Sequence, residues 1–140
     1  MDKWGNRFLE LAEHVATWSK DPRTKVGAVI TDDLNRIIGI GYNGFPRGVV
    51  DSPALYQDRE SKLQRVVHAE ANAILNSNTS VRGCKLYVTL PPCNECAKII
   101  IQSGIAEVHV ELSDRINMVA VEMFEQSTVK FYVHESTDSV

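Results

Sequence analysis

The stretch from Lys85 to Leu112, KLYVTLPPCNECAKIIIQSGIAEVHVEL, combines two kinds of hydrophobic pattern. Its two ends, Lys85–Leu90 and Ala106–Leu112, have the length and β-branched, apolar composition of strands. The segment Cys93–Ser103 between them has helical spacing and is followed by Gly104, a common helix terminator. Strands that alternate with a helix in this way lie parallel, with the helix on one face of the sheet. The stretch therefore predicts an α/β fold.

Further elements are predicted on both sides of this stretch. An apolar stripe at helical spacing predicts a helix over Lys3–Ser19, and the mostly polar Val49–Arg65 predicts a loop with one short helix. The other predicted elements are two strands that form a hairpin, Lys25–Thr31 and Arg36–Tyr42, a helix from Val67 to the Asn76–Ser80 cluster, a helix around Ile116–Phe124 and a strand over Val129–His134. The order α-β-β-α-β-α-β-α-β predicts a three-layer α/β/α sandwich around a mixed five-stranded sheet.

Length and composition limit the classes of protein to consider. The chain has 140 residues, which predicts a single domain over residues 1–135, and we expect the polar tail Ser136–Val140 to fray. No apolar run approaches the ~20 residues of a membrane span, and no secretory signal is visible, so we expect a cytoplasmic protein with no membrane partner. The net charge of −3 disfavours a nucleic-acid partner.

Two short motifs bring metal-ligating residues to the starts of predicted helices. They are His68-Ala69-Glu70 and Pro91-Pro92-Cys93-Asn94-Glu95-Cys96. Two cysteines one helical turn apart can share a metal ion, and His68 can supply a third ligand. Three protein ligands leave Zn²⁺ one open position for a water molecule, whose pKa falls to about 7. Glu70 need not bind the metal and can instead transfer the proton of that water.

The cysteine pair alone allows two other interpretations. It could be a redox-active C-x-x-C pair, although such pairs do not come with an upstream H-x-E. It could also belong to a structural zinc site, which would need a fourth ligand. The candidates for that ligand are Cys84, His14, His109 and His134.

Both motifs together match the signature H-x-E…P-C-x-x-C of zinc nucleobase deaminases. The chain resembles the cytidine deaminase superfamily and, within it, the deoxycytidylate (dCMP) deaminases, including those of bacteriophages. The resemblance rests on Ser19–Pro22 followed by Val26–Val29, the loop Gly41–Gly48 (GYNGFPRG), His68–Ile74 and Pro92–Cys96. The glycine-rich loop points to dCMP deaminases rather than to nucleoside or tRNA deaminases.

The resemblance implies a cytidine deaminase-like fold and the hydrolytic deamination of dCMP to dUMP and ammonia, a step that supplies dTTP synthesis. It implies one Zn²⁺ per chain, since Val49–Val67 lacks the cysteines and histidines of a second, structural site. The implied residue roles are zinc binding by His68, Cys93 and Cys96, proton transfer by Glu70, and substrate binding by Asn43 (deoxyribose 3′-hydroxyl), Arg23 and Arg115 (5′-phosphate) and Ala69. Asp114 stands where relatives often have a tyrosine, so we expect no aromatic stacking on the pyrimidine from that position.

The resemblance also implies regulation and assembly. Many dCMP deaminases are activated by dCTP and inhibited by dTTP, with Mg²⁺ accompanying the triphosphate, and assemble as homo-oligomers, often hexamers. The residues implied for the regulatory nucleotide are Gly44, Phe45, Arg47 and Gly48. If the gene is viral, the cytoplasm would be that of the host cell.

Other functions remain open from the sequence. A tRNA adenosine deaminase shares the zinc motifs but would need a basic face for RNA. A deaminase of free cytidine would have no use for phosphate-binding arginines. A zinc-stabilised nucleotide sensor without turnover would not need Glu70.

Overall fold

The computed structural model describes residues 3–135, which form five strands and six helices. In chain order these elements are α1 (Lys3–Ala16), β1 (Gly27–Thr31), β2 (Ile37–Tyr42), α2 (Pro53–Gln57), α3 (Arg59–Arg65), α4 (Ala69–Leu75), β3 (Lys85–Val88), α5 (Asn94–Gln102), β4 (Glu107–Glu111), α6 (Met118–Gln126) and β5 (Lys130–His134). The predicted frayed tail, residues 136–140, lies outside the described part of the chain. Within that part, no helix has both the length and the apolar character that crossing a membrane requires.

The five strands form one sheet in the order β2-β1-β3-β4-β5. Strand β1 pairs antiparallel with β2 and β3, whereas β3, β4 and β5 run parallel to one another. Helix α1 packs on one face of the sheet, with Phe8 and Ala12 against Val29 and Tyr87. Residues of α4, α5 and α6 form the larger core on the opposite face. The predicted three-layer sandwich around a mixed five-stranded sheet is therefore confirmed.

The main difference from the predicted elements lies in the stretch Val49–Arg65. It forms two short helices, α2 and α3, instead of a loop with one. Asp58 separates them because its extended backbone (φ −82°, ψ 109°) interrupts the helical path. No residue of α3 is buried, so this helix leaves no apolar stripe in the sequence.

Helix α1 also differs, since it ends at Ala16 rather than Ser19. The N–H groups of the next three residues each donate to the carbonyl three residues earlier. The pairs are Thr17 to His14, Trp18 to Val15 and Ser19 to Ala16. This tighter final turn leads the chain into Asp21.

Helix α4 lies unusually close to strand β2 at Gly41. A Cβ atom added to Gly41 would lie 2.5 Å from the carbonyl oxygen of Ala69 and would also meet the backbone nitrogen of Ala73. Both obstacles are backbone atoms, which cannot rotate away. Because Gly41 has no side chain, α4 can pack this close to β2. This close packing helps to set the positions of His68 and Glu70 at the start of α4.

We expect Gly41→Ala to lower the free energy of unfolding by about 1–3 kcal/mol or more, because α4 must move outward. Thermal or urea unfolding would measure the change. Gly44→Ala is the matched control, since an added Cβ there meets nothing closer than the Tyr56 hydroxyl at 3.7 Å. Equal stability of the two variants would contradict the close packing of α4 on β2.

Candidate active site

The two motifs meet at the N-termini of neighbouring helices. His68 immediately precedes α4, and Cys93 immediately precedes α5. His68 is positioned by the preceding Val67, which exchanges two backbone hydrogen bonds with Gly44, at 2.7 and 3.1 Å. Cys93 caps its helix, because its Sγ accepts a hydrogen bond from the Cys96 backbone N–H at 3.5 Å.

The ligand atoms of His68, Cys93 and Cys96 converge on one point. His68 Nδ1 lies 3.1 Å from Cys96 Sγ and 3.6 Å from Cys93 Sγ. Tetrahedral Zn²⁺ with ordinary Zn–N and Zn–S bonds would place such atoms ~3.6 Å apart. One nitrogen and two sulfurs form a donor set that Zn²⁺ favours. The residues present therefore fit a zinc ion. Among residues 3–135, the group contains three possible ligands, and none of the candidates for a fourth ligand (Cys84, His14, His109 and His134) belongs to it.

Protonation in this cluster is strongly perturbed. Hydrogen bonds from the Cys96 thiol and from His68 lower the pKa of Cys93 to about 3. The hydrogen bond to Cys93 in turn raises the pKa of His68. Cys93 is therefore a thiolate at neutral pH, and thiolate is the form that binds metal.

Glu70 lies beside this cluster and is buried, with 5% of its surface exposed. Burial raises the pKa of its carboxyl group to about 7. A carboxyl group with a pKa near neutrality can both accept and donate a proton under physiological conditions. Glu70 thus has the position and the acidity of a proton carrier.

A cavity of about 510 Å³ opens onto the cluster. Its reactive end is lined by His68, Ala69, Glu70 and Cys93. The other charged and polar residues of its wall are Asp21, Arg23, Thr24, Asn43, Arg59, Lys62 and Arg115. The volume suits a ligand of nucleotide size.

The cavity brings together all four residues predicted to bind substrate. Arg23 and Arg115 are exposed and line its wall, and Ala69 lies fully buried at its floor. Asn43 is also in the lining, but its side chain makes internal bonds as well. Its Oδ1 accepts from the Val26 N–H at 2.8 Å, and its Nδ2 donates to the Thr24 carbonyl at 2.8 Å. These bonds fix the amide, and its contact with a sugar hydroxyl stays a prediction.

Three charged residues of the wall were missed by the sequence analysis. Asp21 lies in a motif that carried the resemblance, but no role was predicted for it. Arg59 and Lys62 belong to α3 and lie three residues apart, on one helical face. This spacing of basic residues in a polar stretch was the available signal.

A second cavity of about 580 Å³ lies beside the glycine-rich loop. Three of the four residues predicted to bind a regulatory nucleotide, Gly44, Phe45 and Arg47, line it. Arg47 donates a hydrogen bond to Asn76 Oδ1 at 2.9 Å. Gly48, the fourth, is not part of this wall; it has φ +84°, and apart from its chain neighbours no residue has an atom within 4 Å of where its Cβ would be.

The ligand set His68, Cys93 and Cys96, with Glu70 beside it, matches the site of the zinc-dependent nucleobase deaminases. Comparisons with known proteins identify the family. The family described as "Cytidine and deoxycytidylate deaminase zinc-binding region" matches residues 2–112. The chain belongs to this family.

Individual relatives agree with this assignment. An uncharacterized deaminase of Aliivibrio fischeri is 50% identical over 109 residues, which are 78% of this chain and 73% of that protein. The human deoxycytidylate deaminase is 49% identical over 119 residues, 81% of this chain and 66% of that protein. The chain thus spans about two thirds of the length of such curated relatives.

A solved structure is also similar to this chain. The dCMP deaminase of cyanophage S-TIM5, solved in complex with dCMP and dUMP, superposes with a TM-score of 0.76 at 27% identity, covering 97% of this chain and 99% of the phage protein.

Proposed function

We propose that this protein is a zinc-dependent deaminase that converts dCMP to dUMP and ammonia and thereby supplies dTTP synthesis. The observation that carries the proposal is the buried Glu70 beside a His–Cys–Cys cluster at the end of a nucleotide-sized, basic cavity. Relatives named deoxycytidylate deaminase at 47–50% identity support dCMP as the substrate.

His68, Cys93 and Cys96 would hold the metal, and a bound Zn²⁺ would lower the pKa of a water molecule enough to make it a nucleophile at neutral pH. Glu70 takes up the proton of the attacking water. It delivers this proton to N3 of the cytosine ring. It then takes up the second proton from the hydroxyl group now attached to C4 and transfers it to the amine, which leaves as ammonia when the C4–N bond breaks. The pKa of about 7 suits both transfers, because the group can gain and release a proton within one cycle.

The remaining cavity residues bind and orient the nucleotide. Arg23 and Arg115 are suited to the 5′-phosphate, since guanidinium groups bind phosphate oxygens in pairs. Asn43, held by Val26 and Thr24, is suited to the 3′-hydroxyl through its remaining acceptor capacity.

Regulation by nucleoside triphosphates is part of the proposal. The second cavity, with Gly44, Phe45 and Arg47 in its wall, would bind dCTP as activator or dTTP as inhibitor, together with Mg²⁺. Assembly as a homo-oligomer, with a hexamer favoured, and a cytoplasmic location are further parts of this proposal.

Ammonia release from dCMP, deoxycytidine, dCTP and a tRNA stem-loop tests the substrate. We expect turnover of dCMP above all others, raised by dCTP and lowered by dTTP. Turnover unaffected by either triphosphate would contradict the regulatory site alone. Conversion of the tRNA stem-loop without reaction of dCMP would instead indicate a tRNA adenosine deaminase.

A further inference from the structure

Positive charge is concentrated in the first cavity although the chain as a whole carries a net charge of −3. Its wall includes four basic side chains, those of Arg23, Arg59, Lys62 and Arg115, against the two carboxyl groups of Asp21 and Glu70. Such an excess within a cleft attracts an anionic ligand. A nucleotide carries its anionic charge on the phosphate, so these side chains are candidates for recognising it.

Lys62 differs from the three arginines in having a side chain that is largely shielded from solvent. Its side chain is 12% exposed, whereas the arginines are exposed residues. A charge shielded from water acts more strongly on a ligand than an exposed one, because solvent and salt screen it less. The Lys62 ammonium would therefore act on an anion bound in the cavity with less screening than the exposed guanidinium groups.

The buried Asp21 fixes Lys62 in this position. Lys62 Nζ lies 3.2 Å from Asp21 Oδ2 and 3.5 Å from Oδ1. Asp21 is 2% exposed and is itself held by the backbone N–H groups of Arg23 and Thr24, at 2.9 and 3.1 Å. The Lys62 ammonium has three donors, and its two contacts to Asp21 leave donor capacity for a ligand in the cavity that Lys62 lines.

Helix α3 presents this lysine to the cavity. Arg59, Lys62 and Leu63, at positions i, i+3 and i+4, all line the cavity wall, so one face of α3 points to the ligand. No residue of α3 is buried. The ion pair with Asp21 is thus a contact that can hold this face in place.

We propose that Lys62, positioned by Asp21, binds the 5′-phosphate and determines the preference for a nucleoside monophosphate over the free nucleoside. The inference rests on the proposed function, which supplies the nucleotide substrate. Arg59 adds positive charge at the same face of α3. The competing interpretation is that the ion pair only anchors α3, and the two differ in what happens to a substrate without phosphate.

The test compares Lys62→Met with the wild type on dCMP and deoxycytidine, and on the binding of dUMP and deoxyuridine by calorimetry. We expect kcat/KM for dCMP to fall about 10- to 100-fold, mainly through KM, with a similar rise in the Kd of dUMP. The kcat/KM for deoxycytidine and the Kd of deoxyuridine should change less than about twofold, since both molecules lack the phosphate. Lys62→Arg should restore most of the preference for dCMP.

Lys20→Met is the matched control. Lys20 also pairs with an aspartate, Asp51, at 2.8 Å, but its side chain is 67% exposed and it is not part of the cavity wall. Because Lys62→Met leaves a buried carboxylate without its ammonium partner, the double variant Asp21→Asn/Lys62→Met is measured as well, with the same loss of preference expected.

If Lys62→Met lowered kcat/KM equally for dCMP and deoxycytidine, the inference would be overturned, and Lys62 would only anchor α3. A wild-type protein that binds dUMP in a Lys62-dependent way but releases no ammonia would support the inference and contradict the proposed function.

Discussion

Replacing Glu70 by glutamine is expected to lower kcat for dCMP deamination by about 10²–10⁴-fold, the usual contribution of a general acid–base residue. Glutamine has nearly the same shape but cannot take up a proton from water and pass it to the substrate. Glu70 is buried beside the His–Cys–Cys cluster. The other carboxylate in the described cavity wall belongs to Asp21, which is held in an ion pair with Lys62, so we expect no other residue to take over the proton transfer. Steady-state kinetics measure the loss.

The same variant separates an enzyme from a nucleotide sensor. Zinc content and the Kd of dUMP should stay close to those of the wild type, because His68, Cys93 and Cys96 are unchanged. Glu95→Gln is the matched control, since Glu95 lies between the two cysteines but is exposed and pairs with Lys98 at 2.8 Å. Full activity of Glu70→Gln would remove Glu70 from the proposed mechanism. A wild-type protein that binds nucleotides but releases no ammonia, with binding unchanged in Glu70→Gln, would favour the sensor.

The fold could be predicted from the sequence where hydrophobic patterns are regular. In the segment from β3 to β4, most of β3 is buried on both faces, β4 alternates between buried and half-buried residues, and α5 buries one side. These patterns specify both element types and their parallel arrangement. The stretch Val49–Arg65 was predicted to contain one short helix instead of two, and α3 shows why. It buries no residue, and a helix without an apolar face leaves no periodic signal.

The site, too, could be predicted where its residues form a local sequence pattern and not where they meet only in the folded chain. His68, Glu70, Cys93 and Cys96 lie in two short motifs at helix starts, where spacing of two or three residues already limits their geometry. The pair of Asp21 and Lys62 joins positions 41 residues apart, which meet only when α3 docks near the loop after α1. No local pattern specifies that encounter, and the role of Lys62 therefore required the structure.

Cys96→Ser is expected to remove zinc and activity together. Cys96 is 3% exposed, and its Sγ lies 3.1 Å from His68 Nδ1, so the sulfur is one of three groups able to hold the ion. A serine hydroxyl is smaller and is not ionised at neutral pH, which makes it a poor zinc ligand. Removing a residue that only hydrogen-bonds to a metal ligand lowers metal affinity ~10–100-fold. Because Cys96 would itself be a ligand, its replacement should lower the affinity further. Metal analysis should find about one Zn²⁺ per wild-type chain and a small fraction of that in the variant.

Thermal unfolding gives a second readout, because an ion that binds the native state stabilises it by mass action. A chelator should lower the Tm of the wild type and leave the Tm of Cys96→Ser unchanged. Cys84→Ser is the matched control: Cys84 is a buried free cysteine that lies outside the ligand group and contacts the Ser80 and Arg82 carbonyls. If Cys96→Ser kept its zinc, or if Cys84→Ser lost zinc to the same extent, the assignment of His68, Cys93 and Cys96 as the metal centre would be wrong. Retained zinc in Cys84→Ser with loss in Cys96→Ser would exclude a general effect of removing a buried thiol.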